Sequence, residues 1–276
     1  MNKLILTFLL LCFTISSCGK EGSETDVKTD QKTGSGESKN QTGVKSDNIE
    51  FVMKEFFKSY NNCNKDSAEC AYVSFKYPEI LNEDIKSKVN GTINSYLKDS
   101  IYSMDDKSNK DFNDLAVNFL AEYDTMKKIS DLTNLAYALD VNSEITSETK
   151  KDFTVSISFY IFTGGAHPNS FMRYFVFNKK SGNEMLLNDL FKPGYDSLLN
   201  KLVDEAYRKE KGLSPTDDLQ IKGDLFENKI TFNNNFAVTN DSIKFFYNNY
   251  EIAAYVFGST EISIPLSNLK EYLKEQ

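Results

Sequence analysis

From Phe153 onward the chain alternates strictly. Phe153, Val155, Ile157, Phe159 and Ile161 fall between Thr154, Ser156, Ser158 and Tyr160. A period of two marks a β-strand with one face buried. Phe171-Met172-Arg173-Tyr174-Phe175-Val176-Phe177 is apolar on both faces and is expected as a central strand. Between the two runs lies Thr163-Gly164-Gly165-Ala166-His167-Pro168, which holds the single histidine of the chain. Gly164 and Gly165 can adopt positive φ, and Pro168 biases His167 toward extended backbone, so the segment is a turn joining two strands.

Other periodicities fill in the rest. Ile49, Val52, Met53, Phe56, Phe57 and Tyr60 have helical spacing and predict a helix over 49–60. Ala71 to Pro78 reads as a strand ended by its proline. Ile85, Val89, Ile93, Tyr96 and Leu97 make one face of a helix. A second helix carries Phe112, Leu115, Phe119, Tyr123 and Met126, with Ser108 and Asp111 as a capping box. Leu135, Tyr137, Leu139 and Val141 begin a strand that runs to about Thr146. Lys179-Lys180-Ser181-Gly182 is a turn. Asp196 as N-cap, Leu198, Leu199, Leu202, Val203, Ala206 and Tyr207 as face, and Gly212 as C-cap define a further helix. Glu261 to Pro265 is a closing strand and Leu266 to Leu273 a short helix. The expected fold class is α+β: a mostly antiparallel sheet with helices packed on it, in two intertwined halves, 49–182 and 183–276.

The first residues follow a different logic. Lys3 precedes a ten-residue apolar run, Leu4 to Phe13, too short to span a bilayer. Ile15-Ser16-Ser17-Cys18 then resembles a lipoprotein lipobox, in which Cys18 becomes the acylated first residue of the mature chain; an ordinary secretory signal is the alternative. Residues 1–17 are thus read as a signal peptide, and 18–48 as the acylated Cys18 and a disordered tether. Val27 and Val44 are the only apolar side chains from Gly19 to Asn48, too few to fold. As a flexible coil that stretch would span roughly 30 Å. The expected address is the bacterial cell envelope, with membrane attachment through the lipid (outer membrane or cell surface in a Gram-negative cell).

The net charge is −8. Loss of Lys3 with the signal makes it more negative, which argues against nucleic acid and anionic lipid and suits a basic partner or simple solubility. Cys63 and Cys70 remain as an even pair in an oxidising compartment, either bonded across a short loop or present as two free thiols. Asp140-x-Asn142-x-Glu144 lacks the glycine of a calcium loop and lies on an alternating strand.

Several segments carry a resemblance. Tyr160-x-x-Thr163-Gly164-Gly165-Ala166-His167 resembles the signature of an extracytoplasmic domain found in RsiV-type anti-sigma factors, which sense lysozyme, and beside the catalytic domain of PdaC-type peptidoglycan deacetylases. Tyr77-Pro78, Leu187 to Gly194, and Asn235 to Tyr255 resemble further blocks of the same family in the same order. The resemblance covers Ala71 to Gln276. Family members commonly have proline where this chain has Asn249 and Ala254, and the change loosens a loop that proline would stiffen.

The chemistry points to binding. A base such as His167 needs a nucleophile and an orienting partner, and there is no Gly-x-Ser-x-Gly elbow, phosphate loop or zinc-protease helix. No catalytic residue, metal site or cofactor is expected. His167 is read as a turn residue whose ring bonds to neighbouring backbone, or as a ligand contact. The family resemblance implies a non-catalytic binding protein that captures lysozyme or another cell-wall hydrolase, and the lipobox makes it lipid-anchored. Tyr160, Thr163, His167, Tyr250 and Tyr255 are the expected contacts, since exposed tyrosines supply rigid contact area with a polar tip; core or sheet-face packing is the alternative for each tyrosine. The alternatives are a peptidoglycan-binding module using the same tyrosines on sugar faces, and a structural envelope lipoprotein.

Overall fold

The computed structural model describes residues 48–67, 69–99, 111–129 and 136–274. The signal segment, Cys18, the tether up to residue 47, Ser108 and Leu135 lie outside the described residues. The described residues are mixed α and β, as the patterning implies.

Five strands form the first sheet, in the order β1-β2-β3-β4-β5. They are β1 (Phe51–Ser59), β2 (Tyr72–Ile80), β3 (Ala138–Glu148), β4 (Asp152–Phe162) and β5 (Asn169–Asn178). Among the described residues only β2 and β3 run parallel, and the connection between them includes the helices α1 (Lys86–Asp99) and α2 (Phe112–Ile129). Both helices lie on one face of this sheet. Tyr96 of α1 meets Phe159 and Phe175 at 5.8 and 4.8 Å between ring centroids. Phe112 of α2 stacks on Phe75 at 4.6 Å and also touches Phe56 and Tyr77. With Val73, Leu139, Val141, Val155, Ile157 and Leu115, these rings build the first core. Met126 is largely exposed, unlike the rest of the expected α2 face. The N-terminus of α2 is capped by Asp111, whose carboxylate accepts the Asp114 N–H at 2.9 Å.

The second half has α3 (Leu187–Leu190), α4 (Asp196–Lys211) and a three-stranded sheet in the order β6-β7-β8. These strands are β6 (Phe236–Val238), β7 (Ser242–Tyr247) and β8 (Thr260–Pro265). Helix α4 starts at Asp196, with Tyr195 in the cap position, and ends at Gly212 in the left-handed conformation. Leu199, Val203 and Tyr207 of α4 join Phe236, Ile243, Phe245 and Ile262 in a second core. Val176 of β5 belongs to that second core, and Thr154 of β4 bonds the Val238 backbone, so the halves interlock.

Four expectations change. Residues 49–60 form β1, not a helix: Val52, Phe56 and Tyr60 are four apart, and a step of four returns a side chain to the same face in a strand as well as in a helix. Strand β2 continues past Pro78 to Ile80, because β3 pairs with it only as far as Lys76 and the missing N–H falls where the sheet has narrowed. Strand β5 is the edge of the five-stranded sheet rather than a central strand, and its outward Tyr174 and Val176 are buried by the second half. After β8, a short 3-10 turn covers only Leu266–Leu269.

Candidate functional site

The β5 edge fixes the geometry. Instead of a sixth strand, two asparagine side chains bond its backbone. Asn248 accepts the Met172 N–H at 2.7 Å and donates to the Met172 carbonyl at 3.1 Å. Asn235 donates to the same carbonyl at 2.8 Å and accepts the Tyr174 N–H at 2.8 Å. A primary amide offers the same donor and acceptor as a peptide group, so it can stand in for a neighbouring strand. The Tyr174 hydroxyl bonds Glu261 at 2.8 Å, and burial first, then that carboxylate, pushes its pKa well above the usual tyrosine range.

This lacing carries the loop after β7 up to the β4–β5 turn. Gly164 and Gly165 have φ of +88° and +100°, as the turn requires. The Tyr255 ring stacks on His167 with centroids 4.1 Å apart and planes 19° apart. His167 Nδ1–H and the Tyr255 hydroxyl both donate to the Pro168 carbonyl, at 3.0 and 3.3 Å. Tyr250 lies beside Tyr255, with ring centroids at 5.6 Å.

Tyr250 sits in a tight turn closed by the Glu251 N–H on the Asn248 carbonyl. Its φ is +65°, a left-handed conformation unusual for a bulky side chain. Asn249 precedes it with negative φ, the pattern of a type II turn, in which glycine is normal at the Tyr250 position and proline at the Asn249 position. The Glu251 carboxylate holds this turn through the Asn248 N–H at 2.8 Å and the Asn233 amide at 2.7 Å. The Tyr250 side chain is 57% exposed, so its strained backbone presents an aromatic ring to solvent. The next turn adds Val256, 81% exposed, and Phe257.

His167, Tyr250 and Tyr255 therefore come together from two distant parts of the chain, and Thr163 is exposed where β4 enters the turn. Tyr160 does not join them. It lies on β4 opposite Asp140 and Ser170, on the sheet face away from the helices. Cys63 and Cys70 are bonded, with Cα atoms 5.5 Å apart. Val256 and Phe257 were not anticipated, although an apolar pair ahead of Gly258 in a loop is a visible sign of a surface contact. Among the described residues no three His, Cys, Asp or Glu side chains form a metal-binding group, and no helix is long and apolar enough to cross a membrane.

Comparison with known proteins divides the chain in two. Residues 62–170 match the family model described as deacetylase PdaC, and residues 188–267 match a family described as a protein of unknown function, DUF3298. The chain is 30% identical over 141 residues to the peptidoglycan-N-acetylmuramic acid deacetylase PdaC of Bacillus subtilis, a match covering 50% of this chain and 30% of that protein. It thus spans under a third of that relative's length. A crystal structure of a DUF3298 family member from Bacteroides fragilis superposes with a TM-score of 0.64 at 19% identity, covering 82% of this chain and 94% of the other. A DUF3298 family protein from Pseudomonas aeruginosa gives 0.58 at 17% identity, covering 83% and 94%. The chain is similar in its first part to the PdaC family and in its second to DUF3298, on a fold that those two structures share.

Proposed function

We propose that the protein is a non-catalytic binding protein of the bacterial envelope, anchored through acylated Cys18, which holds a basic protein ligand of the lysozyme class on the aromatic crest of His167, Tyr250 and Tyr255. The observation that carries this reading is Tyr250, held in a left-handed turn position with its ring exposed beside the His167–Tyr255 stack. Exposed, pre-positioned aromatic rings supply contact area at low entropic cost and dominate many interfaces. Thr163, Val256 and Phe257 form the rim. In this arrangement His167 acts as a contact surface: its ring face is covered by Tyr255 and its Nδ1 is engaged by the Pro168 carbonyl. The net charge of −8 favours a cationic partner through steering.

Calorimetric titration of the protein with lysozyme, at low and at near-physiological salt, tests the reading. Binding that weakens with salt but persists, and that Tyr250→Ala and Tyr255→Ala both reduce, is the expected result. Absence of heat at either salt removes lysozyme as the ligand.

A further inference from the structure

Tyr160 leads to a different surface. On the face of the first sheet away from the helices, Thr154, Ser156, Tyr174 and Val176 are buried, and there Thr154 bonds Val238 and Tyr174 bonds Glu261 of the second half. Toward the Tyr160 end the same face is open. The strand register orders its side chains into rungs. One rung runs Phe57, Ser74, Asp140, Tyr160, Ser170 across all five strands. The next runs Glu55, Lys76, Asn142, Ser158, Met172. On the other side, Tyr72, Ala138 and Phe162 form a third. The loop closed by the Cys63–Cys70 disulfide rises along one edge and contributes Lys65 and Ser67. Together they enclose an open trough of about 1200 Å³.

We propose that this trough is a second ligand site, separate from the aromatic crest, and that it binds an uncharged oligosaccharide. Three observations converge. First, two rings are exposed on the middle rung, on β1 and β4: Phe57 at 50% and Tyr160 at 41%. Tyr72 stacks on Phe57 at 6.2 Å and widens that end. Three strand spacings separate Phe57 from Tyr160, about 14 Å, so the two platforms suit separate rings of one extended chain. Second, Ser74 lies between the platforms, Asn142 and Ser158 lie beside them on the next rung, and Ser170 lies just beyond Tyr160, hydroxyl and amide groups that exchange hydrogen bonds with sugar hydroxyls. Third, the charges lining the trough cancel. Lys65 bonds Asp140 at 2.6 Å, and Lys76 faces Glu55 at 3.9 Å. Two cations matched by two anions give no net attraction for nucleic acid, phosphate or a basic protein, and a neutral ligand is the complement. The volume also exceeds the roughly 300–1,000 Å³ usual for a single small ligand, as an oligomer requires.

The test is titration of the full-length protein with the tetramer of β-1,4-linked N-acetylglucosamine, read by calorimetry. Saturable binding that is unchanged between low and high salt is expected, since no net charge is involved. Tyr160→Ala should weaken it about tenfold or more, the loss of one stacking ring. Ser158→Trp, which places an indole across the floor of the trough, should do the same without touching a core residue. Tyr255→Ala should leave it unchanged. The proposal is overturned by absence of saturable binding, by binding that survives both Tyr160→Ala and Ser158→Trp, or by binding that Tyr255→Ala abolishes, which would assign the sugar to the crest. Self-association lost on Phe57→Ala, without sugar binding, would give the trough to a second copy of the chain and also overturn it.

Discussion

Tyr250 allows backbone strain and ligand contact to be measured separately in one series. An L-residue in the left-handed region carries a penalty of about 1–2 kcal/mol. Glycine escapes it but loses about 0.5–1 kcal/mol more backbone entropy on folding. Tyr250→Ala and Tyr250→Gly both delete the ring and its contact with Tyr255, so they differ only in a Cβ at φ +65°. The turn cannot relax to suit alanine, because the Glu251 carboxylate pins it through Asn248 and Asn233. The glycine variant should therefore be the more stable of the two by about 1 kcal/mol, or about 2–4 °C in Tm for a domain of this size. Urea denaturation of the two variants side by side reads the difference. Lysozyme titration should rank them equally, each roughly thirtyfold weaker than the parent if Tyr250 supplies about 2 kcal/mol as an interface anchor. An alanine variant as stable as the glycine variant refutes the strain argument. A glycine variant that binds like the parent refutes the role of the ring.

Three other expectations concern stability. Reducing the Cys63–Cys70 bond, which closes a loop across a sequence separation of 7, should lower unfolding free energy by about 2–3 kcal/mol on chain-entropy grounds, measured by denaturation with and without reductant. Asp152 is buried with Oδ1 unpartnered, and burial raises its pKa, while Thr149, Lys179 and Lys151 oppose the shift. Because the folded state holds the proton more tightly than the unfolded chain, stability falls as pH rises from the ordinary carboxylate range through the raised pKa. Asp152→Asn should thus stabilise the protein at neutral pH, with the gain shrinking on acidification; a gain that is constant with pH would contradict the assignment. Asn235→Ala strands the Tyr174 N–H and removes one donor from the Met172 carbonyl, and should cost about 1–3 kcal/mol for each backbone group left unpaired, seen as a lower denaturation midpoint.

How far the sequence foretold this depends on the range of each interaction. The alternation from Phe153 to Ile161 and the glycines at 164 and 165 are local signals, and β4 and its turn stand where they imply. Helix α4 likewise follows from its apolar face and the Gly212 cap. β1 is ambiguous in sequence because Val52, Phe56 and Tyr60 satisfy both periods, while Phe51, Met53 and Phe57 on its other face are apolar yet exposed. The apolar outer face of β5 was real, but its cover is the second half rather than another strand, a fact held in contacts more than sixty residues apart. The same limit applies to the crest: Tyr255 reaches Pro168 across 87 positions, and no spacing rule joins them. Alternation alone puts Tyr160 on the face of Ser156 and Ser158, opposite Phe159, which is where it stands.

The Pro168 carbonyl receives one donor from the β4–β5 turn and another from Tyr255. This small junction bears on how such a protein can change over time. Neither block makes the crest alone, so a substitution that suits a new ligand in one must remain compatible with the other. A gene fusion that joined the first half to an unrelated second half would keep α1, α2 and the five strands of the first sheet, yet lose Asn235, Asn248 and Tyr255 together. The lacing of the β5 edge and the crest would disappear in the same event, whereas the trough beneath Tyr160, built wholly from the first half, would be inherited intact.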